Sequence, residues 1–190
     1  MIEPIRTKHY DYGRGYRTPW GEAQTAYTYA EGVVFYSCAG HGGVKVNKPL
    51  NRLIPEPLRN EDGWYEEDCE SRIPWYFLLH DEGSAEPIKH YWPDEWTAAT
   101  GERLEVWQSR ELQRRAFVKT NAGRPLVVSA FGAWADWVPE GKVGVKARIG
   151  GRGNPHGAES RWLIPKDEYR AGGDSGFGFV VDPERHERVA

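Results

Sequence analysis

Apolar and polar positions along the chain fall mostly into short alternating runs. Thr25-Ala-Tyr-Thr-Tyr29 and Val33-Val-Phe-Tyr-Ser37 flank Ala30-Glu-Gly32, a pattern that predicts two strands of a hairpin closed by a glycine turn. Cys38-Ala-Gly-His-Gly-Gly43 then carries three glycines in six residues, which reads as a sharp exposed turn before a strand resumes at Val44-Lys-Val46. After the proline-bearing connection 49–62, Asp62 or Gly63 is placed to cap a helix beginning near Trp64 and ended or kinked by Pro74. Glu66, Glu67 and Asp68 would then occupy its first turns, where the helix dipole favours carboxylates. Pro93-Asp-Glu-Trp96 opens another short helix, and Ser109 caps one over Arg110 to Lys119, whose Leu112, Ala116 and Phe117 share a face. The last third predicts strands at Leu126–Phe131, Val143–Ile149, Arg161–Ile164 and Phe177–Val181, with one helical turn over Pro165–Tyr169.

These elements predict an α+β fold: a single compact domain over residues 20–190, with a mostly antiparallel sheet and a few short helices. Residues 1–19 are polar and punctuated by Gly13, Gly15 and Pro19, so they read as an N-terminal arm. With 190 residues the chain is long enough for one sizeable core. Nine Trp, ten Tyr and six Phe argue for packed structure over disorder. A formal charge of -3 points neither to a surface that coats polyanions nor to an acidic shell that mimics DNA. The start of the chain lacks the pattern of a signal peptide, and no apolar run approaches roughly 18 residues, so the expectation is a cytoplasmic protein without a membrane. Two cysteines, Cys38 and Cys69, are too few for a disulfide framework and suit a reducing compartment.

Certain stretches are recognisable as a set: Thr18-Pro-Trp-Gly21, Ser37-Cys-Ala-Gly-His-Gly-Gly43, Gly63-Trp-Tyr-Glu-Glu-Asp-Cys69, Tyr91-Trp-Pro93, Pro139-Glu-Gly-Lys-Val-Gly-Val145 and Arg161-Trp-Leu-Ile-Pro-Lys-Asp-Glu-Tyr169. Together they resemble an uncharacterised domain family of bacteriophages and bacterial mobile elements. The resemblance implies phage or mobile-element origin and brings no established activity. With no known catalytic motif in the chain, the first expectation is an accessory protein of the host cytoplasm that binds a host protein, a nucleotide or a nucleic acid to modulate host processes or counter defence. The family's usual residue at the position of Cys38 is small or hydroxylated, so a role for the Cys38 thiol would be peculiar to this chain.

The residue best placed for chemistry is His41, because an imidazole on a glycine-rich turn can approach a ligand closely. With Glu66, Glu67 and Asp68 it forms the candidate catalytic set, either binding a divalent metal or working as an acid/base pair in a hydrolase or transferase. Gly40, Gly42, Gly43, Trp64 and Tyr65 are the binding positions around it. A plainer alternative is that the carboxylates satisfy a helix start while the glycines make a tight hairpin. A zinc reading takes Cys38 and His41, separated by two residues, with Cys69 and Asp68 as further ligands, and a thiol reading pairs Cys69 with His41. Gly150-Gly-Arg-Gly153 follows a strand without a succeeding helix, which argues against phosphate cradling. Trp134 and Trp137, flanking Asp136, mark a candidate partner surface. Metal identity, cofactor and oligomeric state are open at this level.

Overall fold

A computed structural model describes residues 10–11, 15–172 and 176–189, so most of the N-terminal arm, residues 1–9 and 12–14, lies outside it. Two compact units emerge from the contacts, Met1–Leu112 and Gln113–Ala190. The architecture is α+β, and its strands pair antiparallel throughout the described sheets.

In the first unit β1 (Tyr10–Asp11), the short pair β2 (Arg17–Thr18) and β3 (Gly21–Glu22), β4 (Thr25–Ala30), β5 (Val33–Ser37) and β6 (Gly42–Val46) precede α1 (Lys48–Asn51) and β7 (Trp64–Glu66). Three helices follow: α2 (Arg72–Leu79), α3 (Ala85–Tyr91) and α4 (Pro93–Thr100). The main sheet runs β1-β4-β5-β6-β7. Partners across it include Val33 with Val46, Phe35 with Val44, and Val44 with Tyr65. Because side chains alternate along strands, these residues share one face, and they pack with Ile54, Leu58, Ile73, Leu78, Ile88 and Trp96 into one core. Each such aliphatic side chain contributes about 1.5–3 kcal/mol by leaving water. The opposite face carries two rows, Tyr36–Gly43–Glu66 and Val34–Lys45–Trp64.

The hairpin predicted over 25–37 forms as expected, and so do the helices at Pro93 and Arg110. Other elements differ. Trp64, Tyr65 and Glu66 do not start a helix; they form β7, since Gly63 at φ +72° turns the chain and the aromatic pair favours an extended strand beside β6. The helix instead begins at Arg72, after a turn over 67–71. Pro74 lies inside its first turn, where a missing N–H removes no helical bond. β6 begins at Gly42, so two of the three glycines expected in the exposed turn are buried strand residues.

α5 (Arg110–Thr120) carries the boundary between units. The second unit contains β8 (Pro125–Phe131), β9 (Lys142–Ile149), β10 (Ser160–Pro165), α6 (Lys166–Gly172) and β11 (Glu187–Val189), with sheet order β11-β10-β9-β8. The strand expected at Phe177–Val181 is absent: this segment makes one bridge, Leu126 to Val180, and positive φ at Gly176 and Gly178 breaks its extension. It still closes a core, because Phe179 and Val181 pack on Val145, Ala147, Trp162 and Ile164. On the other face of that sheet Ala135, Val138 and Leu163 form a second cluster with Phe131 and Trp137.

A candidate metal centre at the end of the main sheet

β5 and β6 are joined by a four-residue loop, residues 38–41, closed by the Cys38 N–H donating to the His41 carbonyl at 2.7 Å. Gly40 takes φ +94°, which lets the loop turn back sharply. His41 therefore stands at the loop's exit, 56% exposed, directly before β6. The neighbouring β7 brings Glu66 opposite Gly43, and the Glu67 N–H donates to the Gly42 carbonyl, extending the ladder into the acidic run. Strand pairing, not helix capping, is what brings the two motifs together.

β7 is held from below by polar groups. The Tyr65 hydroxyl donates to Asn51 Oδ1 at 2.7 Å and accepts from the Asn60 N–H. Asn60 Nδ2 donates to the Trp64 carbonyl and to Glu70 Oε2, and the same Glu70 oxygen accepts from the Glu66 N–H at 3.1 Å. This network fixes the backbone from which Glu66 projects.

The two oxygens of Glu66 have different surroundings. Oε2 accepts from the N–H groups of Asp68 (2.8 Å) and Cys69 (3.3 Å), so it caps the turn that follows β7. Oε1 is buried, has no hydrogen-bond partner among the described residues, and faces His41 Nδ1 at 3.5 Å. Glu67 Oε1 lies 3.8 Å from the same nitrogen. His41, Glu66 and Asp68 each offer one ligand atom within 4.8 Å of the others. Two ligands bound about 2.1 Å from one ion and 3.5 Å apart subtend a near-tetrahedral angle, so the pair His41–Glu66 fits a first-row divalent ion. An imidazole with carboxylates suits Zn²⁺ or Mn²⁺.

The remaining sequence candidates are distributed around this centre and beyond it. Gly42 and Gly43 allow close approach: a Cβ on Gly42 would sit 2.8 Å from Glu67 Oε2, and one on Gly43 would sit 2.1 Å from the Trp20 indole. Trp64 lies in an aromatic cluster with Tyr16, Trp20 and Tyr36, and Lys45 Nζ is 4.9 Å from its ring centre. Tyr65 points into the core and is fully buried, so it offers no face to a ligand. Cys38 and Cys69 are free thiols. Cys38 is buried with Sγ 3.1 Å from Thr18 Oγ1, and neither cysteine belongs to the group that converges on His41. Trp134 and Trp137 lie in the second unit; Trp134 is 76% exposed, while Trp137 packs onto Gly144. Asn60, which helps position β7, is an isolated polar residue in a connection and carries no periodic signal, while Glu70 sits at the end of the acidic run 66–70 and was hidden by the helix expected there.

These features define an antiparallel α+β protein with a His/carboxylate centre at one sheet end. The chain belongs to the family described as Domain of unknown function (DUF7007), whose model matches residues 13–122. The match contains His41 and the acidic run and ends before the stretches at 139–145 and 161–169. No curated protein and no solved structure matches the chain. Among the described residues, no helix is long and apolar enough to cross a membrane.

Proposed function

We propose that this chain is an accessory protein of a bacteriophage or mobile element, acting in the host cytoplasm, and that its working centre is a divalent metal held by His41, Glu66 and Asp68 for hydrolysis or group transfer. The observation that carries this reading is the convergence of these three side chains together with the buried, unsatisfied Glu66 Oε1, a site that a cation would complete. Three protein ligands leave positions for water and substrate, as catalytic sites require. Glu67, whose Oε1 lies 3.8 Å from His41 Nδ1, is the carboxylate that would serve as general base beside a bound ion. The mobile-element origin is supported by the motif resemblance.

Calorimetric titration of metal-free protein with Zn²⁺ and Mn²⁺ tests the centre. One ion per chain is expected, with Glu66→Gln and His41→Ala each weakening it at least about tenfold. Ion binding that survives both substitutions would sink the proposal. A second reading, engagement of a host factor without chemistry, is favoured by the exposed Trp134.

A further inference from the structure

Although the chain carries a net charge of -3, its two units differ in sign: residues 1–112 hold 12 basic and 19 acidic side chains, residues 113–190 hold 13 and 9. On one face of the second sheet the basic side chains meet aromatic rings. Ser129, Lys146, Arg161 and Val189 form a row across β8, β9, β10 and β11, so Lys146 and Arg161 project from adjacent strands to the same side. The loop 132–139 lays its rings on that face. Trp137 reaches Gly144 so closely that a Cβ there would lie 2.5 Å from the indole. Phe131 is 5.4 Å from Trp137 and 5.8 Å from Trp134, which makes a continuous aromatic strip. The strip is bordered by cations, with Arg161 5.6 Å from the Trp137 ring and Lys146 5.9 Å from Phe131. Glu159 pairs with Lys146 and Arg148, Glu187 on the same face pairs with Lys142, and Arg161 lines an open depression of about 630 Å³ beside Glu159.

We infer that this face binds single-stranded nucleic acid. Bases stack on the strip, with Trp134 as the outermost platform, and Arg161 and Lys146 contact the phosphates. A duplex hides its base faces and would leave the exposed indole unused; an acidic peptide would satisfy the cations but not the rings. Close packing on Gly144 keeps Trp137 in place, and Arg161 lies over its ring, where it can carry a phosphate beside a stacked base. The inference stands apart from the metal centre, since it uses other residues.

The test is fluorescence anisotropy of labelled (dT)20 and (U)20 with the full-length protein in low salt, with EDTA present throughout so that the His41 centre plays no part. Binding is expected to one or both, weakening linearly with log salt as counterions are released. Trp134→Ala and Arg161→Glu should each weaken it roughly tenfold, whereas Trp107→Ala, which removes an equally exposed indole from the acidic unit, should leave it unchanged. Trp134 is exposed, so its removal leaves the fold intact, a point that circular dichroism verifies. No binding, binding indifferent to both substitutions, or equal displacement of the oligonucleotide by polyglutamate would overturn the inference. None of those outcomes bears on metal binding.

Discussion

At the residue scale, the two glycines that open β6 act through what they lack. Gly43 has no Cβ because Trp20 occupies that space, and Trp20 in turn makes an edge contact with Trp64 at 5.7 Å. Gly43→Ala would put a methyl 2.1 Å from the indole and 2.7 Å from the Tyr65 carbonyl, and neither a strand backbone nor a packed ring yields cheaply. A loss of about 1–3 kcal/mol is expected in urea denaturation, with an altered tryptophan emission reporting the displaced ring. A neutral substitution would show that Trp20 can leave the face at no cost. The motif around His41 was legible from its glycines, but the sequence cannot say that two of them make room for side chains while only Gly40 makes the turn.

At the element scale, β7 is short and, among the described strands, pairs on one side only, so its position depends on the polar residues behind it. Burial pushes the Tyr65 hydroxyl up to about 12, against the smaller opposing pull of the Asn60 N–H. A raised folded value means that the protonated phenol is favoured in the native state. Its contribution is complete below the ordinary tyrosine value near 10 and is lost as pH rises from there to about 12. Tyr65→Phe leaves Asn51 Oδ1 and the Asn60 N–H unsatisfied, a cost of about 1–3 kcal/mol. The variant should also show a shallower alkaline decline in melting temperature; an identical decline would remove Tyr65 as its source.

A second polar link joins α3 to Glu102, two residues beyond the end of α4. Lys89 Nζ donates to Glu102 Oε1 at 3.0 Å and the Trp96 indole donates to Oε2 at 2.9 Å. These hydrogen bonds, Lys89 first, hold the Glu102 carboxyl below the usual range. The sign follows: stability from this carboxylate is present above its ordinary value near 4.5 and is lost as pH falls through the lower folded one. The melting-temperature gap between wild type and Glu102→Gln should therefore narrow on acidification, and a gap constant from pH 7 to 3 would contradict the assignment. Helices α4 and α5 were readable because proline and serine mark their starts. β7 was misread because acidic residues after Gly63 fit both a helix start and a strand end, and only the pairing with β6 decides between them.

At the scale of the whole molecule, overall composition concealed the charge distribution. A net charge of -3 in 190 residues excludes a uniformly basic protein, but it is the sum of an acidic first unit and a basic second one. The boundary that separates them falls within α5, a helix whose pattern runs on without interruption, so no linker composition announced it. At an ionic strength near 0.1 M, screening acts over about 10 Å, less than the span of either sheet, and a charged surface then meets the basic face locally, without averaging over the chain. The protein should consequently be retained by both anion and cation exchangers at pH 7 and moderate ionic strength, although its sequence pI of about 6.1 favours the anion exchanger alone. Arg161→Glu combined with Arg148→Glu should abolish retention on the cation exchanger and strengthen it on the anion exchanger. If the wild-type protein flows through the cation exchanger under conditions in which an evenly charged protein of the same pI also does, the basic unit does not act as a separate surface.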